Sequence, residues 1–360
     1  RPGHPIQCLN LPGSCLSAFP LSLPSLTTLD LNCSDLSKLF SSDQIPDFPL
    51  LNQLSMSSCS LRELPSYFFQ FPLIADINLD RNRLSEETYP FDRFQNLKKL
   101  DIVLNLFSAF PPLPDSLEFL DAGFNNIRVV NFILPNLLEF RAQGNGIAEL
   151  SQNCSFPCLR IIDFSLNDIV HLPPISDFAP QLEELNLSYN CLTSWPTKLP
   201  VSLKKLNIQN NMISNWTESL EASGLREINA SNNQLRSLPP LPHSLENIYV
   251  SGNPLTIDEV VQAPNLRGFI AEKCMFQEIP DFSGTKLLTG AFKSNTISTL
   301  LLDQLPTNVT KLSFSLNHLV TLEGSLENFH ALRFLDLSCN NIQVFPDIFR
   351  GTNISSLNVS

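Results

Sequence analysis

The feature that most constrains this chain is an eleven-residue unit that recurs from one end to the other. In its clearest copy, Leu182–Leu192, the unit reads LEELNLSYNCL and follows the pattern L-x-x-L-x-L-x-x-N-x-L. The alternation across Leu185 to Leu187 is typical of a β-strand, and Asn190 can bond backbone groups that are left unpaired where the strand ends. One such unit cannot bury its apolar face alone, so it needs neighbours of the same kind.

Copies of the unit recur seventeen times at intervals of 20 to 25 residues. They begin at Ile6, Leu26, Leu51, Ile74, Leu97, Leu117, Leu137, Leu159, Leu182, Leu203, Leu225, Leu245, Leu266, Leu287, Val309, Leu332 and Ile354. The place of the asparagine, here called the ladder position, holds asparagine in twelve copies: Asn82, Asn105, Asn125, Asn145, Asn167, Asn190, Asn211, Asn233, Asn253, Asn295, Asn317 and Asn340. Ser14, Ser34, Cys59 and Cys274 replace it in four others.

This pattern resembles the leucine-rich-repeat (LRR) family, and the resemblance covers residues 6–360. It implies an α/β solenoid, a right-handed horseshoe with one short parallel strand per turn lining a concave face. Sixteen full repeats and one truncated repeat are expected, with the twelve asparagines stacked as an internal hydrogen-bonded ladder. Parallel strands need crossovers of about a dozen residues, which the remainder of each repeat supplies. The strand side is narrower than the crossover side, so stacking should bend the array.

The crossovers between strands are of two types. FSAFPPLPDSL (107–117) and LRSLPPLPHSL (235–245) are rich in proline and should be extended. They resemble the short crossovers of secreted LRR effectors from Gram-negative bacteria. LRELPSYFFQFPL (61–73) is longer, as in receptor ectodomains, and has room for a helical turn. We therefore expect a convex side that is mostly extended, polyproline-like or 3-10, with few helical turns.

The interior and the ends of the array also carry signals. An aromatic spine on the crossover side is predicted from phenylalanines that lie three residues before a repeat, namely Phe48, Phe71, Phe94 and Phe329. Gly290 stands where a buried strand leucine is expected and Cys274 stands in the ladder, which predicts looser packing or altered curvature there. Neither end carries a polar cap, so we expect residues 1–360 to be a single solenoid cut from a longer chain inside repeat 17.

Composition and motifs argue against most other classes of function. A net charge of −12 disfavours binding to a phosphate backbone, and no apolar run is long enough to cross a bilayer. No phosphate-binding loop, nucleophile elbow or zinc signature occurs, so neither a catalytic residue nor a metal or other cofactor is predicted. The nine cysteines are scattered, which indicates mostly buried free thiols; a Cys154–Cys158 bridge is the alternative.

One region departs from the polar surface expected of a strand face. Repeats 5–9 place apolar and aromatic side chains beside three aspartates and an arginine at positions that point away from the core. The predicted partner-binding residues are Asp101, Val103, Leu104, Phe119, Asp121, Phe124, Leu138, Arg141, Ile161, Asp163, Leu166 and Tyr189. An exposed apolar cluster rimmed by charge is typical of a protein-interaction hot spot. The alternative is that Leu104, Phe124, Leu166 and Tyr189 fold over the strand edge and only cover the core.

The sequence therefore predicts a non-catalytic module that binds a protein through its concave face, with a basic and apolar surface on the partner. The proline-rich crossovers favour a secreted bacterial effector that acts on host proteins. One alternative is the ligand-binding ectodomain of an extracellular receptor. Another is the substrate-recruiting arm of a ubiquitin-ligase-type enzyme whose catalytic domain lies outside this chain. Neither nucleic acid binding nor membrane insertion is expected, and the site of action is extracellular or inside a host cell. The fold alone does not choose between these alternatives.

Overall fold

The computed structural model describes residues 6–15, 22–37, 46–64, 66–85, 90–216, 220, 223–256, 261–343 and 352–360. The chain forms two compact units, Arg1–Leu182 and Glu183–Ser360. Each unit is a solenoid of short parallel strands joined by crossovers that are mostly extended. The predicted fold class is therefore confirmed.

The first unit contains eight strands of a parallel sheet and one two-stranded pair in its crossovers. Its strands are β1 Cys8–Asn10, β2 Thr28–Asp30, β3 Gln53–Ser55, β4 Asp76–Asn78, β5 Lys99–Asp101, β6 Phe119–Asp121, β7 Val129–Val130, β8 Glu139–Arg141, β9 Glu149–Leu150 and β10 Ile161–Asp163. Strands β7 and β9 form the pair. In the sheet, equivalent residues of successive repeats lie opposite one another, as do Leu100, Leu120 and Phe140.

The second unit repeats this arrangement with nine sheet strands. Its strands are β11 Glu184–Asn186, β12 Lys205–Asn207, β13 Glu227–Asn229, β14 Asn247–Tyr249, β15 Gly268–Ile270, β16 Thr289–Ala291, β17 Thr299–Leu301, β18 Lys311–Ser313, β19 Thr321–Glu323, β20 Phe334–Asp336 and β21 Ser356–Asn358. Strands β17 and β19 pair in the crossovers, and the other nine form the sheet. Together the two units hold one sheet strand for each of the seventeen sequence copies.

Helical structure in the described residues is confined to single turns within crossovers. The longer crossover after β3 forms the 3-10 helix Ser66–Gln70, as its length suggested, and another 3-10 turn covers Phe91–Arg93. The α-helix α1 is Ile175–Phe178, and a 3-10 turn covers Leu302–Gln304. No helix in this part of the chain has the length and apolar character needed to cross a bilayer. The short strand pairs in the crossovers were not predicted.

The ladder asparagines lie inside each unit and bond the backbone of neighbouring repeats. Asn105 is typical: its amide nitrogen donates to the carbonyls of Leu79 and Ile102 at 2.9 and 3.1 Å. Its amide oxygen accepts the backbone N–H of Leu84 at 3.0 Å. Cys59 fills the same place with its thiol 3.1 Å from the carbonyl oxygen of Leu31. Each ladder residue thus satisfies polar groups that the ends of the short strands leave unpaired.

The aromatic spine is confirmed, and a second aromatic cluster lies behind the strands of the first unit. Phe48, Phe71, Phe94 and Phe329 are all buried, and the ring centroids of Phe48 and Phe71 lie 5.8 Å apart. Phe140, the middle residue of β8, meets Phe164 edge-on with the ring centroids 5.0 Å apart. This second cluster gives β8 and β10 a closely packed apolar support.

The prediction of looser packing at Gly290 is wrong. A Cβ built at Gly290 would lie 3.0 Å from the ring of Phe292 and 3.1 Å from Leu312. The ring of Phe292 in turn stacks on Phe314 with the centroids 5.2 Å apart. Large neighbours thus occupy the space that a leucine at position 290 would need.

Candidate functional site

The last residue of several strands holds the turn that follows it. The carboxylates of Asp101, Asp121 and Asp163 each accept a hydrogen bond from the backbone N–H two residues further on, at 3.1, 3.0 and 2.9 Å. Asn78 and Asn207 make the same bond with an amide oxygen. Such Asx turns need an acceptor oxygen but no charge. The carboxylates are therefore not required by the turn itself.

A left-handed residue precedes the ladder position in each of the sixteen full repeats. These pre-ladder residues are Gly13, Cys33, Ser58, Arg81, Leu104, Phe124, Gly144, Leu166, Tyr189, Asn210, Asn232, Gly252, Lys273, Ser294, Leu316 and Cys339. Glycine and asparagine suit this conformation, and they occupy it in five repeats. Large apolar residues do not suit it, yet five repeats have one there.

The large apolar pre-ladder residues are also exposed. Their exposed fractions are 43% for Leu104, 45% for Phe124, 47% for Leu166, 52% for Tyr189 and 48% for Leu316. About half of each side chain therefore meets solvent. The other half is buried against the repeat, so the partner-binding role of Leu104, Phe124, Leu166 and Tyr189 stays a prediction beside the alternative that they cover the core.

Charged residues at the strand ends of the first unit form a row across neighbouring strands. Asp101, Asp121, Arg141 and Asp163 lie in register on β5, β6, β8 and β10. Strands of a sheet lie about 4.8 Å apart, so this row is dense. Arg141 pairs with Glu139 of its own strand rather than with Asp121, as far as the described residues show. The row therefore keeps a negative surplus.

Phe119, on β6, carries two cations over its ring. The Lys99 ammonium lies 5.3 Å and the Arg141 guanidinium 5.9 Å from the ring centroid. Both cations are thus engaged by an aromatic face, which attracts positive charge. In the part of the chain described, neither Asp101 nor Asp121 forms an ion pair.

Asp121 is buried, contrary to the prediction that it points into solvent. Only 8% of it is exposed, and this burial raises its pKa to about 6. The N–H of Gly123 and the charge of Arg141 lower the pKa, whereas Asp101 and Asp163 raise it. The pKa of Asp101 is also raised, again mainly by burial. Asp121 is buried by side chains of the neighbouring repeats. Its burial therefore cannot be predicted from the sequence of its own repeat.

The twelve predicted partner-binding residues differ in their exposure to solvent: six are exposed, five are half-buried, and Asp121 is buried. Those exposed are Leu104, Phe124, Leu138, Arg141, Leu166 and Tyr189. Those half-buried are Asp101, Val103, Phe119, Ile161 and Asp163. Tyr189 belongs to the second unit, and Leu138 lies before its strand rather than after it. Six residues share the strand ends of the first unit and are called here the strand-end surface: Asp101, Leu104, Asp121, Phe124, Asp163 and Leu166.

Sequence reasoning missed two contributors to this region. Leu106, two residues after Leu104, is 52% exposed and enlarges the apolar area. Gly123 makes room for the amide of Gln143, because a Cβ at Gly123 would lie 2.6 Å from that amide nitrogen. The sequence did contain a signal for Leu106. It is an apolar residue between Asn105 of the ladder and the buried Phe107, a place that should be exposed. The sequence contained no comparable signal for Gly123.

The cysteines provide no site. All nine are free, so the Cys154–Cys158 bridge does not form. Burial raises the pKa of the thiols of Cys59, Cys154 and Cys274, to about 11 for Cys274. The prediction of mostly buried thiols is wrong, because only three of the nine are buried and four are exposed, namely Cys8, Cys15, Cys33 and Cys339. Two of these, Cys33 and Cys339, stand at pre-ladder positions, which face outward. No group of metal-ligating side chains occurs among the described residues.

Comparison with known proteins agrees with this architecture. The family model "Leucine Rich Repeat" matches residues 331–352. Lumican of Gallus gallus is 31% identical over 192 residues, which are 49% of this chain and 55% of lumican. The chain thus spans about half the length of that relative. Transforming growth factor beta activator LRRC33 of Danio rerio is 24% identical over 94% of this chain and 62% of its own length.

A solved structure gives the same result for the fold. YopM, a leucine-rich effector protein from Yersinia pestis, superposes with a TM-score of 0.65 at 24% identity, over 98% of this chain and 88% of that chain. Its likeness concerns the fold alone. The repeated strands, the asparagine ladder and these matches agree: the chain has the repeat pattern and the solenoid fold of leucine-rich-repeat proteins.

Proposed function

We propose that this chain is a non-catalytic recognition module whose strand-end surface binds a protein partner. One observation carries the proposal. Leu104, Phe124 and Leu166 are large, apolar and half-exposed at positions where asparagine or glycine serves other repeats of the same chain. Apolar side chains held outward in neighbouring repeats are what a protein interface requires.

Folding alone does not account for these three residues. A left-handed backbone costs a residue other than glycine roughly 1 kcal/mol. Burying half of a leucine side chain contributes about 1 kcal/mol in return. The two effects nearly cancel, so Leu104 and Leu166 contribute little net stability. The fold requires the left-handed turn in every full repeat but does not require a large apolar side chain in it, so the choice of these residues is a reason to infer function.

The charges indicate the character of the partner. Asp101 and Asp163, both half-buried, lie beside the apolar side chains and are not needed as charges by their turns. A partner with basic residues around an apolar centre would complement them and would be steered toward them. We therefore propose a basic, apolar surface on a folded protein.

The test is partner capture by the full chain with its pre-ladder residues changed. The triple variant Leu104→Asn, Phe124→Asn and Leu166→Asn supplies a residue that the left-handed turn accepts, so the fold should persist. The matched control is Leu316→Asn, because Leu316 has the same conformation and a similar exposure in the second unit. Cross-linked partners are identified by mass spectrometry. We expect a partner that the wild type and the control recover and the triple variant loses.

Retention of that partner by the triple variant would show that the strand-end surface is not the contact. Loss by the Leu316→Asn control as well would point to a general effect of removing apolar surface. A circular-dichroism melt of each variant verifies that loss of capture is not loss of fold.

For the biological setting, we propose a secreted protein, with a bacterial effector acting on host proteins as the first candidate. The likeness to YopM, an effector, and the proline-rich crossovers support it. The match to LRRC33, an activator of transforming growth factor beta, supports the alternative of an extracellular ligand-binding ectodomain. A third candidate is the recruiting arm of a ubiquitin-ligase-type enzyme. Antibody detection in medium and in host cytosol separates the first two, and a ubiquitin-transfer assay on the intact protein tests the third.

A further inference from the structure

A cavity of about 380 Å³ lies on the sheet face of the first unit, over β1 to β5. Its polar lining includes Asn10, Asp30, Asp76, Asn78, Lys99 and Asp101. Asp101 also belongs to the strand-end surface, so the cavity continues that surface toward the first repeats. The cavity was not anticipated from the sequence.

The lining is negative. It holds three carboxylates and one ammonium, a net charge of −2. Lys99, the single cation of the lining, has its ammonium 5.3 Å from the centroid of the Phe119 ring on the next strand. Over the residues that the structure describes, no ion pair reaches Asp30, Asp76 or Asp101. The three carboxylates therefore have no ion-pair partner among the described residues, and the one ammonium of the lining lies over an aromatic ring.

The three carboxylates differ in the hydrogen bonds that they accept from the fold. Asp30 and Asp101 each accept one backbone N–H, from Asn32 at 3.0 Å and from Val103 at 3.1 Å. Asp76 stands at the start of β4, half-buried, and its carboxylate accepts no hydrogen bond from any described residue. Half-buried carboxylates keep their charge only at a cost in solvation, which a cationic ligand would remove.

We propose that this cavity receives a cationic side chain, the ammonium of a lysine or the guanidinium of an arginine, presented by the protein partner. The inference rests on the proposed function and makes the partner more specific. The surplus of negative charge selects a cation, and a volume of about 380 Å³ admits a side chain but not a folded element. Continuity through Asp101 with the strand-end surface assigns that side chain to the same partner. The raised pKa of Asp101, to which Asp80 and Asp76 contribute by repulsion, agrees with a negative potential at this place.

The experiment uses the full chain labelled with nitrogen-15 and does not require the partner. It is titrated with N-acetyl-lysine methylamide, N-acetyl-arginine methylamide and their uncharged counterparts made from norleucine and citrulline. We expect saturable shifts of the backbone amides of Thr28, Gln53 and Asn78 with the two cationic probes only. Putrescine is a fifth probe, because a free amine carries the same ammonium chemistry.

Variants locate the binding. Asp30→Asn keeps an acceptor oxygen for its turn, as Asn78 does, and Asp76→Asn removes a charge that no turn uses. The double variant should raise the Kd of the lysine probe by about tenfold or more, the scale of losing charge-assisted hydrogen bonds. Asp336→Asn in the second unit makes the same exchange in a turn far along the chain and should leave the Kd unchanged.

Three outcomes overturn the inference: equal shifts with citrulline, unchanged affinity in the double variant, or binding of putrescine without binding of either amino-acid probe. The last would make the cavity a site for free amines. These probes test the cavity alone, whereas partner capture tests Leu104, Phe124 and Leu166. Failure of the cavity and failure of the proposed function are therefore distinguishable.

Discussion

The ring of Phe124 lies against the α-carbon of Gly144, the residue at the same position in the next repeat. A Cβ built at Gly144 would be 2.6 Å from Cδ1 and 2.7 Å from Cε1 of that ring. Both residues are left-handed, with φ of 54° and 66°. Gly144 therefore serves two purposes: it accepts the turn conformation without strain, and it leaves space for an aromatic side chain of the strand-end surface.

Replacing Gly144 with alanine should lower the free energy of unfolding through both effects. The left-handed conformation accounts for about 1 kcal/mol. Displacement of the Phe124 ring adds about 1 to 3 kcal/mol, the usual scale of overpacking. Urea denaturation measures the sum.

Two further variants separate the contributions. Gly13→Ala has a φ of 68° and no atom within 4 Å of the added Cβ, so it should show the conformational effect alone. Gly144→Ala should lose more unfolding free energy than Gly13→Ala. That difference should disappear when Gly144→Ala is made in a Phe124→Ala background, because the ring is then absent. Equal losses for Gly144→Ala and Gly13→Ala would mean that the ring moves aside freely.

The strain at Leu166 can be measured against a neighbour of similar exposure. Leu166 is 47% exposed and left-handed, whereas Leu106 is 52% exposed and is not left-handed. Changing either to asparagine removes a similar amount of apolar contact. Only the change at position 166 also relieves backbone strain, so Leu166→Asn should be about 1 kcal/mol less destabilising than Leu106→Asn. Equal effects in chemical denaturation would remove the argument that Leu166 is strained.

Much of the fold could be predicted because it depends on spacing within one repeat. The period places Leu100 in a strand and Asn105 in the ladder, and the structure has both there. A stack of like units leaves few other arrangements in which every strand finds a partner. The number of strands in the main sheet and the buried phenylalanines followed from the same period, whereas the four crossover strands did not.

The site could be predicted only in part, because its properties arise between repeats. Asp121 reads as a solvated charge in its own repeat, yet adjoining repeats bury it. Gly290 reads as a gap, yet Phe292 and Leu312 occupy the space. The left-handed state of Leu104 could not be inferred from its identity, because leucine disfavours it. Such features depend on which side chains meet across a period of about twenty residues.

The ladder should be the most sensitive part of the fold. Asn105→Ala removes the bonds to the carbonyls of Leu79 and Ile102 and the acceptor for the N–H of Leu84. The N–H of Leu84 then lacks a partner, whereas the two carbonyls still accept the amides of Asn82 and Asn125. The expected loss of unfolding free energy is about 1 to 3 kcal/mol, the cost of one buried backbone group without a hydrogen bond. Asn145 makes equivalent bonds but is half-buried, so Asn145→Ala should cost less. A loss below about 1 kcal/mol at position 105 would contradict the ladder's structural role.

Asp121 should make stability depend on pH in a way that Asp121→Asn removes. Its pKa is about 6 in the folded chain and near 4 when unfolded, so the folded state holds the proton more tightly. The stabilisation from protonation is fully present below about pH 4 and is lost as pH rises through about 6. The variant carries a neutral amide at every pH and should exceed the wild type by up to about 3 kcal/mol at pH 8, with no difference at pH 3.5.

The measurement is a series of urea denaturations of both proteins from pH 3.5 to 8. Asp336→Asn, which exchanges the same oxygen in a turn of the second unit, measures the effect of the amide on the turn itself and is subtracted. The corrected difference should grow with pH and level off above about pH 7, because by then the wild-type carboxyl has lost its proton. Parallel pH profiles for the wild type and Asp121→Asn would mean that Asp121 ionises as readily as an exposed aspartate, and burial between β5 and β8 would then have no electrostatic consequence.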